Sequence, residues 1–257
     1  MNIRLPWRDR LFAAFIFFTR LPFWRIHQPR KEAYETVVEL WPLTGWLTAG
    51  CMAATLYFGS FIVPTALAAM AAIIVRILIT GALHEDGLAD FIDGFGGGGT
   101  DRKRILDIMK DSRIGTYGVV GLVLYFMLLH QSLTILPPRI TALMILAADP
   151  FFKMMTAQLI QMMPYARTAE TAKSQVVYRK TSIKAGLLLL IQGTLPAIGL
   201  WYFAGLPYLG IAMPALVFYL LYLLMNRRIN GYTGDCCGAV FLLTELTFYL
   251  TYITLNS

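Results

Sequence analysis

The chain has 257 residues, 57% of them hydrophobic and only 14% charged, where a soluble domain carries about 25% charged. That balance excludes a soluble globular protein and predicts an all-α, polytopic helix bundle, a single integral membrane domain over residues 1–257. The net charge of +7 points to anionic lipid head groups or phosphorylated substrates, and its scatter among loops argues against nucleic acid as a partner. Cys51, Cys236 and Cys237 show neither metal spacing nor an even disulfide framework, and read as packing residues.

Taken in order, the chain opens on a basic stretch holding Arg4, Arg8 and Arg10, followed by eight apolar residues, Leu11 to Phe18. That is too short for a span, which needs about 20 residues, and no small-residue cleavage site follows. An amphipathic or re-entrant helix that enters the membrane is expected here, in preference to a signal peptide. His27, in a basic loop, reads as inert. Seven apolar segments of spanning length are predicted at 38–59, 62–83, 116–136, 139–163, 184–204, 207–225 and 236–255. Turns near Gly59-Ser60, at Pro137-Pro138 and from Gly205 to Pro207 are short. The remaining connections are long and charged, and with the N-terminal tail they hold 19 of the 22 Lys and Arg residues. By the positive-inside bias these loops are cytoplasmic.

Between the second and third segments lies the stretch His84 to Gly118, which holds seven of the fifteen acidic residues. Asp86, Asp90 and Asp93 stand at i, i+4 and i+7, within roughly 60° of arc on a helix. Three aligned carboxylates repel unless a cation lies between them, and oxygen ligands without nearby Cys favour Mg2+, with Mn2+ the second choice. A solvated first turn is the plain alternative. The run Gly96 to Gly99 is a poor helix former, so Gly97 and Gly98 are expected in a lid, a linker or a close approach to substrate. Residues 101 to 111 read as a short helix capped by Thr100 or Asp101, with Ile105, Ile108 and Met109 on its apolar side. Arg104, Lys110 and Arg113 there could neutralise diphosphate oxygens, or simply anchor the loop.

Asp235, in Gly231-Tyr232-Thr233-Gly234-Asp235, precedes the last span, where capping is the ordinary role. Arg76, Asp149, Lys153 and Glu245 fall inside spans and require partners or a watery cavity; Asp149 and Lys153, at i and i+4, can pair with each other. Pro150 beside them is expected to kink the helix. A metal-binding acidic face, cations and a glycine run at one membrane surface suit phosphoryl or nucleotidyl transfer to a membrane-associated acceptor.

His84-Glu85-Asp86-Gly87-Leu88-Ala89-Asp90, Asp93-Gly94 and Ile108-Met109-Lys110-Asp111-Ser112-Arg113-Ile114-Gly115-Thr116-Tyr117-Gly118 resemble the cobalamin-5'-phosphate synthase family, the adenosylcobinamide-GDP ribazoletransferases. The resemblance extends to Phe18-Thr19-Arg20-Leu21-Pro22, Trp41-Pro42-Leu43-Thr44-Gly45, Gly231 to Asp235 with Gly238-Ala239, and Thr244-Glu245. It implies a Mg2+-dependent enzyme of the bacterial or archaeal cytoplasmic membrane. Adenosylcobinamide-GDP and α-ribazole, or its 5'-phosphate, would be joined with release of GMP by attack of a ribose 3'-hydroxyl. Lipid and a second copy of the chain are the further partners this reading admits.

On this resemblance Asp86, Asp90 and Asp93 hold the metal. Asp93, Asp111, Glu245 and Asp235 are the catalytic candidates, with His84 a weaker one. Arg104, Lys110, Ser112, Arg113, Gly97 and Gly98 are the expected substrate contacts. Glu85 points about 100° from the other acids and is not expected as a ligand. The chain departs from the family pattern at Ala148-Asp149-Pro150-Phe151, where a Ser-Arg pair is usual, and over 164–181. Two other classes fit less well: a CDP-alcohol phosphotransferase, because Asp90 stands where an Arg should follow Ala89, and an ion-coupled transporter, because most acids lie outside the spans.

Overall fold

A computed structural model describes residues 5–167, 177–205 and 209–256. It is helical. Helix α1 (Trp7–Phe18) is followed by a 3-10 segment, Lys31–Leu40, then α2 (Trp41–Gly59), α3 (Thr65–Thr80), α4 (Leu83–Gly97) and α5 (Arg102–Lys110). The rest of the chain forms α6 (Thr116–Ile135), α7 (Pro138–Ala157), the short α8 (Leu159–Met162), α9 (Ile183–Ala204), α10 (Leu209–Ile229) and α11 (Gly234–Asn256).

Among the described residues, five helices are long and apolar enough to cross a membrane: α6, α7 with α8, α9, α10 and α11. There are six if the bent pair α3–α4 makes one span. The expected segments 38–59 and 62–83 form α2 and α3, which do not reach that length and hydropathy on their own. At 38–59 a helix does form, as α2, but Thr44, Thr48, Thr55, Gly45 and Gly50 lower its hydropathy, and it buries Met52, Ala53 and Leu56 within the protein. At 62–83 the helix stops after 16 residues, and the chain turns by 90° into α4. Gly81 and Ala82 make that turn at φ 65° and 57°. Ala82 is strained in this left-handed region, which residues with a Cβ adopt at a cost of about 1 kcal/mol or more. Of the turn expected from Gly205 to Pro207 only Gly205, at φ 73°, is described, and part of the 164–184 connection and Arg4 lie outside the described residues.

α7 and α11 form the interior, packed by α2, α4 and α9, while α6, α9 and α10 keep apolar outer faces such as Leu187, Leu190, Ile191 and Leu195. That distribution suits a multi-pass membrane protein, where outward apolar faces meet hydrocarbon. Helix α7 continues through Pro150. Near it Lys153 reaches Asp149 Oδ1 at 2.6 Å and donates to Thr48 Oγ1 at 3.0 Å, while Thr48 donates to Asp149 Oδ2 at 2.9 Å. The i, i+4 pairing is thus made, and Thr48 completes it.

α1 is a packed helix, burying Ala13, Ala14 and Phe18 against the following segment and α2. Its polar side is paired as well: Arg10 with Glu39, and Asp9 with His27 at 2.7 Å. His27 is therefore not inert, and its hydrogen bond holds the Asp9 carboxyl below the usual carboxylate range.

The glycine run behaves differently from a lid. α4 continues through Gly97, and Ile105 and Met109 of α5 lie directly on it, both fully buried. A Cβ at Gly98 would stand 2.8 Å from Ile105 Cα, closer than real contacts allow. Packing by α5 outweighs the poor helix propensity of glycine here. Gly98→Ala is expected to lower stability by about 1–3 kcal/mol through overpacking, read as a drop in thermal midpoint in detergent.

Candidate active site

The acidic stretch does form one helix, but its carboxylates have different surroundings. Asp86 is exposed, whereas Asp90 and Asp93 are 8% and 7% exposed. Asp93 accepts the Gly115 N–H at 2.7 Å and the Gly118 N–H at 2.8 Å. It thereby satisfies the otherwise unpaired first N–H groups of α6. Among the described residues no group of three His, Cys, Asp or Glu side chains is placed to hold a metal ion. The expected Asp86, Asp90 and Asp93 share one helix, and Asp93 also caps α6.

Across from α4 lies the start of α11. Thr233 caps this helix, its Oγ1 accepting the Cys236 N–H at 3.3 Å, so the capping role expected of Asp235 belongs to Thr233. The two helices touch backbone to backbone. A Cβ at Gly87 would lie 3.0 Å from the Asp235 carbonyl oxygen, and one at Gly238 3.0 Å from the His84 carbonyl oxygen. This glycine-mediated contact brings Asp86 and Asp235 to the lining of one cavity. Asn230, at φ 51°, turns the chain into this segment much as Ala82 turns it into α4.

A third strip of chain closes the cavity. Ala166 N–H donates to Tyr232 O at 2.8 Å, and Tyr232 N–H donates to Pro164 O at 3.1 Å, a short parallel bridge. It sets Tyr165 and Arg167 beside Asp86 and Asp235. Burial pushes the Tyr165 phenol up to about 12, so it stays protonated at neutral pH. Tyr165 and Arg167 also line an adjoining trough with Arg102, Lys103, Asp107 and Lys110. Arg102 donates to Ile229 O at 2.8 Å and to Ala166 O at 3.0 Å, and Arg167 to Leu106 O at 2.8 Å. These bonds clip α5 to the 164–167 strip, and Asp101 caps α5 as expected, accepting from Lys103 N–H at 2.8 Å.

The other expected residues lie elsewhere. Glu245 is fully buried, 2.7 Å from Arg76 Nη1, and accepts the Tyr249 hydroxyl at 3.1 Å. Arg76 also donates to Tyr125 at 2.6 Å and lies 3.9 Å from Glu85. This network joins α3, α4, α6 and α11 and holds Glu245 in a buried ion pair outside the cavity lining. Asp111 is paired with Arg113 at 2.7 Å, and that hydrogen bond lowers its carboxyl to about 2. A carboxylate that acidic is a weak base. Ser112 and Arg113 are exposed, and with Arg104, Gly97 and Gly98 they line neither the cavity nor the trough.

Because its folded value lies below the usual 3.8, Asp111 contributes to stability above that pH and loses the contribution as pH falls toward 2. Asp111→Asn is therefore expected to leave turnover between pH 6 and 9 within about fivefold of wild type, the ceiling for an exposed ion pair. A kcat/KM profile against pH checks it.

Arg167, Tyr165 and Tyr178 escaped the sequence reading. They sit in the one long loop where the resemblance is weakest, and the only signal was its basic charge beside aromatic residues.

A family model described as cobalamin-5-phosphate synthase matches residues 10–253. A protein of Leptospira interrogans is 35% identical over 252 residues, covering 94% of both chains. One of Shewanella baltica is 30% identical over 263 residues, covering 100% of this chain and 99% of its own. One of Vibrio parahaemolyticus is 34% identical over 250 residues, covering 93% and 90%. All three are named adenosylcobinamide-GDP ribazoletransferase. No solved structure matches.

Proposed function

The chain belongs to the cobalamin-5-phosphate synthase family, and from that premise we propose how its cavity and trough perform the nucleotide-loop assembly step of cobalamin biosynthesis. The enzyme is a transferase that joins adenosylcobinamide-GDP to a ribazole acceptor. Membership in the family sets aside the lipid phosphotransferase and transporter readings.

The observation that carries the mechanism is the meeting of Asp86 and Asp235, far apart in sequence, in one cavity that shares Tyr165 and Arg167 with a basic trough. In the proposed reaction the ribose 3'-hydroxyl of α-ribazole, or of its 5'-phosphate, attacks the phosphorus next to the aminopropanol. The new O–P bond forms as the bond to the guanylyl phosphate breaks, and GMP leaves with the electron pair. Asp235 takes the hydroxyl proton. Arg167, with Lys110 in the trough, draws charge from the departing phosphate.

The donor set fits a hard divalent ion, because Mg2+ is commonly held by one or two carboxylates together with substrate phosphates. Asp86, with Asp90 one turn on along α4, would hold it. Bound there, Mg2+ would neutralise charge on the diphosphate oxygens. The bias of Lys and Arg to the tail and the long loops supports a cytoplasmic site in the inner membrane.

The test is GMP release by the purified, detergent-solubilised protein. Release should need adenosylcobinamide-GDP, α-ribazole and Mg2+ together, and should stop with EDTA. Folded protein that releases no GMP with any divalent ion present would overturn the reading.

A further inference from the structure

The cavity beneath Asp86 and Asp235 holds groups that the reaction has not used. Phe18, Trp41 and His84 form a parallel set of rings. Phe18 and Trp41 lie 5.2 Å apart at 9°, Trp41 and His84 5.8 Å apart at 5°, and Phe18 and His84 6.5 Å apart at 8°. All three line the cavity with Phe17, Tyr178 and Val38.

Trp41 and His84 are 2% and 4% exposed, and among the described residues Trp41 Nε1 and His84 Nε2 are each buried without a hydrogen-bond partner. Two orphaned ring nitrogens in one cavity are unusual, since buried polar groups are nearly always paired. The cavity thus has a polarity gradient, with the half-buried Asp235 and exposed Asp86 toward the mouth and the aromatic set deeper.

We propose that this cavity seats the base of the ribazole acceptor, read by Trp41 Nε1; this rests on the reaction proposed above. The indole N–H of Trp41 can only donate. Its partner must therefore be an acceptor carried on something flat enough to lie against this ring set and apolar enough for Phe17, Phe18 and Val38. A benzimidazole base meets each demand. It is planar and largely apolar, and its one unsubstituted ring nitrogen accepts and cannot donate.

The guanine of the donor fits worse. Its O6 or N7 could accept from Trp41, but its N–H groups would then be left unpaired among Phe17, Phe18 and Val38. Among the described residues the carboxylates in the lining are Asp86 and Asp235, toward the mouth. With the base seated deep, the ribose of the acceptor lies toward Asp235, where its 3'-hydroxyl loses a proton. The donor's diphosphate then approaches from the trough.

The test uses two nucleosides and two proteins: α-ribazole and its analogue with CH in place of the free ring nitrogen, against wild type and Trp41→Phe. Equilibrium binding and KM are both measured on the detergent-solubilised protein. Wild type should hold α-ribazole about tenfold tighter than the analogue, the worth of one buried hydrogen bond. Trp41→Phe should bind both alike, with KM for α-ribazole raised about tenfold and KM for adenosylcobinamide-GDP unchanged. Should Trp41→Phe not fold, the two nucleosides on wild type decide alone.

Equal binding of the two nucleosides by wild type overturns the inference, as does a Trp41→Phe change confined to kcat or to the donor's KM. α-Ribazole discrimination without GMP release would sink the proposed reaction and leave the base site standing. GMP release without discrimination would do the reverse.

Discussion

Asp86→Ala is expected to reduce GMP release by on the order of 10³-fold, because several kcal/mol of transition-state charge stabilisation goes with the metal ligand proposed at this position. Asp86 is exposed, so the thermal midpoint should hardly move, as surface changes away from special features stay within about 0.5 kcal/mol. Asp93→Ala is the contrasting case. Its carboxylate accepts the Gly115 and Gly118 N–H groups at 2.7 and 2.8 Å, and removing a helix cap costs about 0.5–2 kcal/mol. The two variants should therefore separate, one losing turnover at constant stability and the other losing stability first. Activity and thermal unfolding measured on the same preparations distinguish them. Full turnover in Asp86→Ala would show that the reacting phosphate lies elsewhere.

Arg76→Met should give the largest loss of stability in the chain. It leaves the fully buried Glu245 without its guanidinium at 2.7 Å, and Glu85 without its neighbour at 3.9 Å. Breaking a buried pair by removing one partner costs about 3–5 kcal/mol, enough to deplete folded protein in detergent extracts. The double variant Arg76→Met, Glu245→Leu should recover most of that loss, since replacing a whole buried pair with apolar groups is often neutral or stabilising. It should also retain GMP release within about tenfold, because Glu245 lies in the helix interior and not in the cavity. A double variant that folds as well as wild type but is inactive would return Glu245 to the list of bases.

The pairing of Asp149 with Lys153 and the apolar side of α5 could be read from sequence, because both depend on local helical spacing. The same spacing aligned Asp86, Asp90 and Asp93 correctly on one helix. What it could not supply was the partner of each carboxylate. Asp93 is engaged by backbone N–H groups more than twenty residues away, and Asp235 is set beside Asp86 by a close approach of Gly87 and Gly238. The glycine run misled for a related reason. Glycine's low helix propensity is a local preference of about 1 kcal/mol, and the burial of Ile105 and Met109 against it is a tertiary gain that overrides it.

By itself, then, the sequence determined the membrane class, the helical periodicity, the acidic motif and the family, since these rest on composition and on order along one chain. Only the tertiary structure decided where the apolar segments begin and end as helices, α3 stopping after 16 residues. It also turned the acidic helix by 90° from α3 and sorted the acids into a cap, a buried ion pair and a cavity lining. It brought Arg167, Trp41 and His84 to the site as well. Those outcomes depend on which backbones can approach one another and which buried polar groups find partners, and neither property is carried by neighbours in sequence.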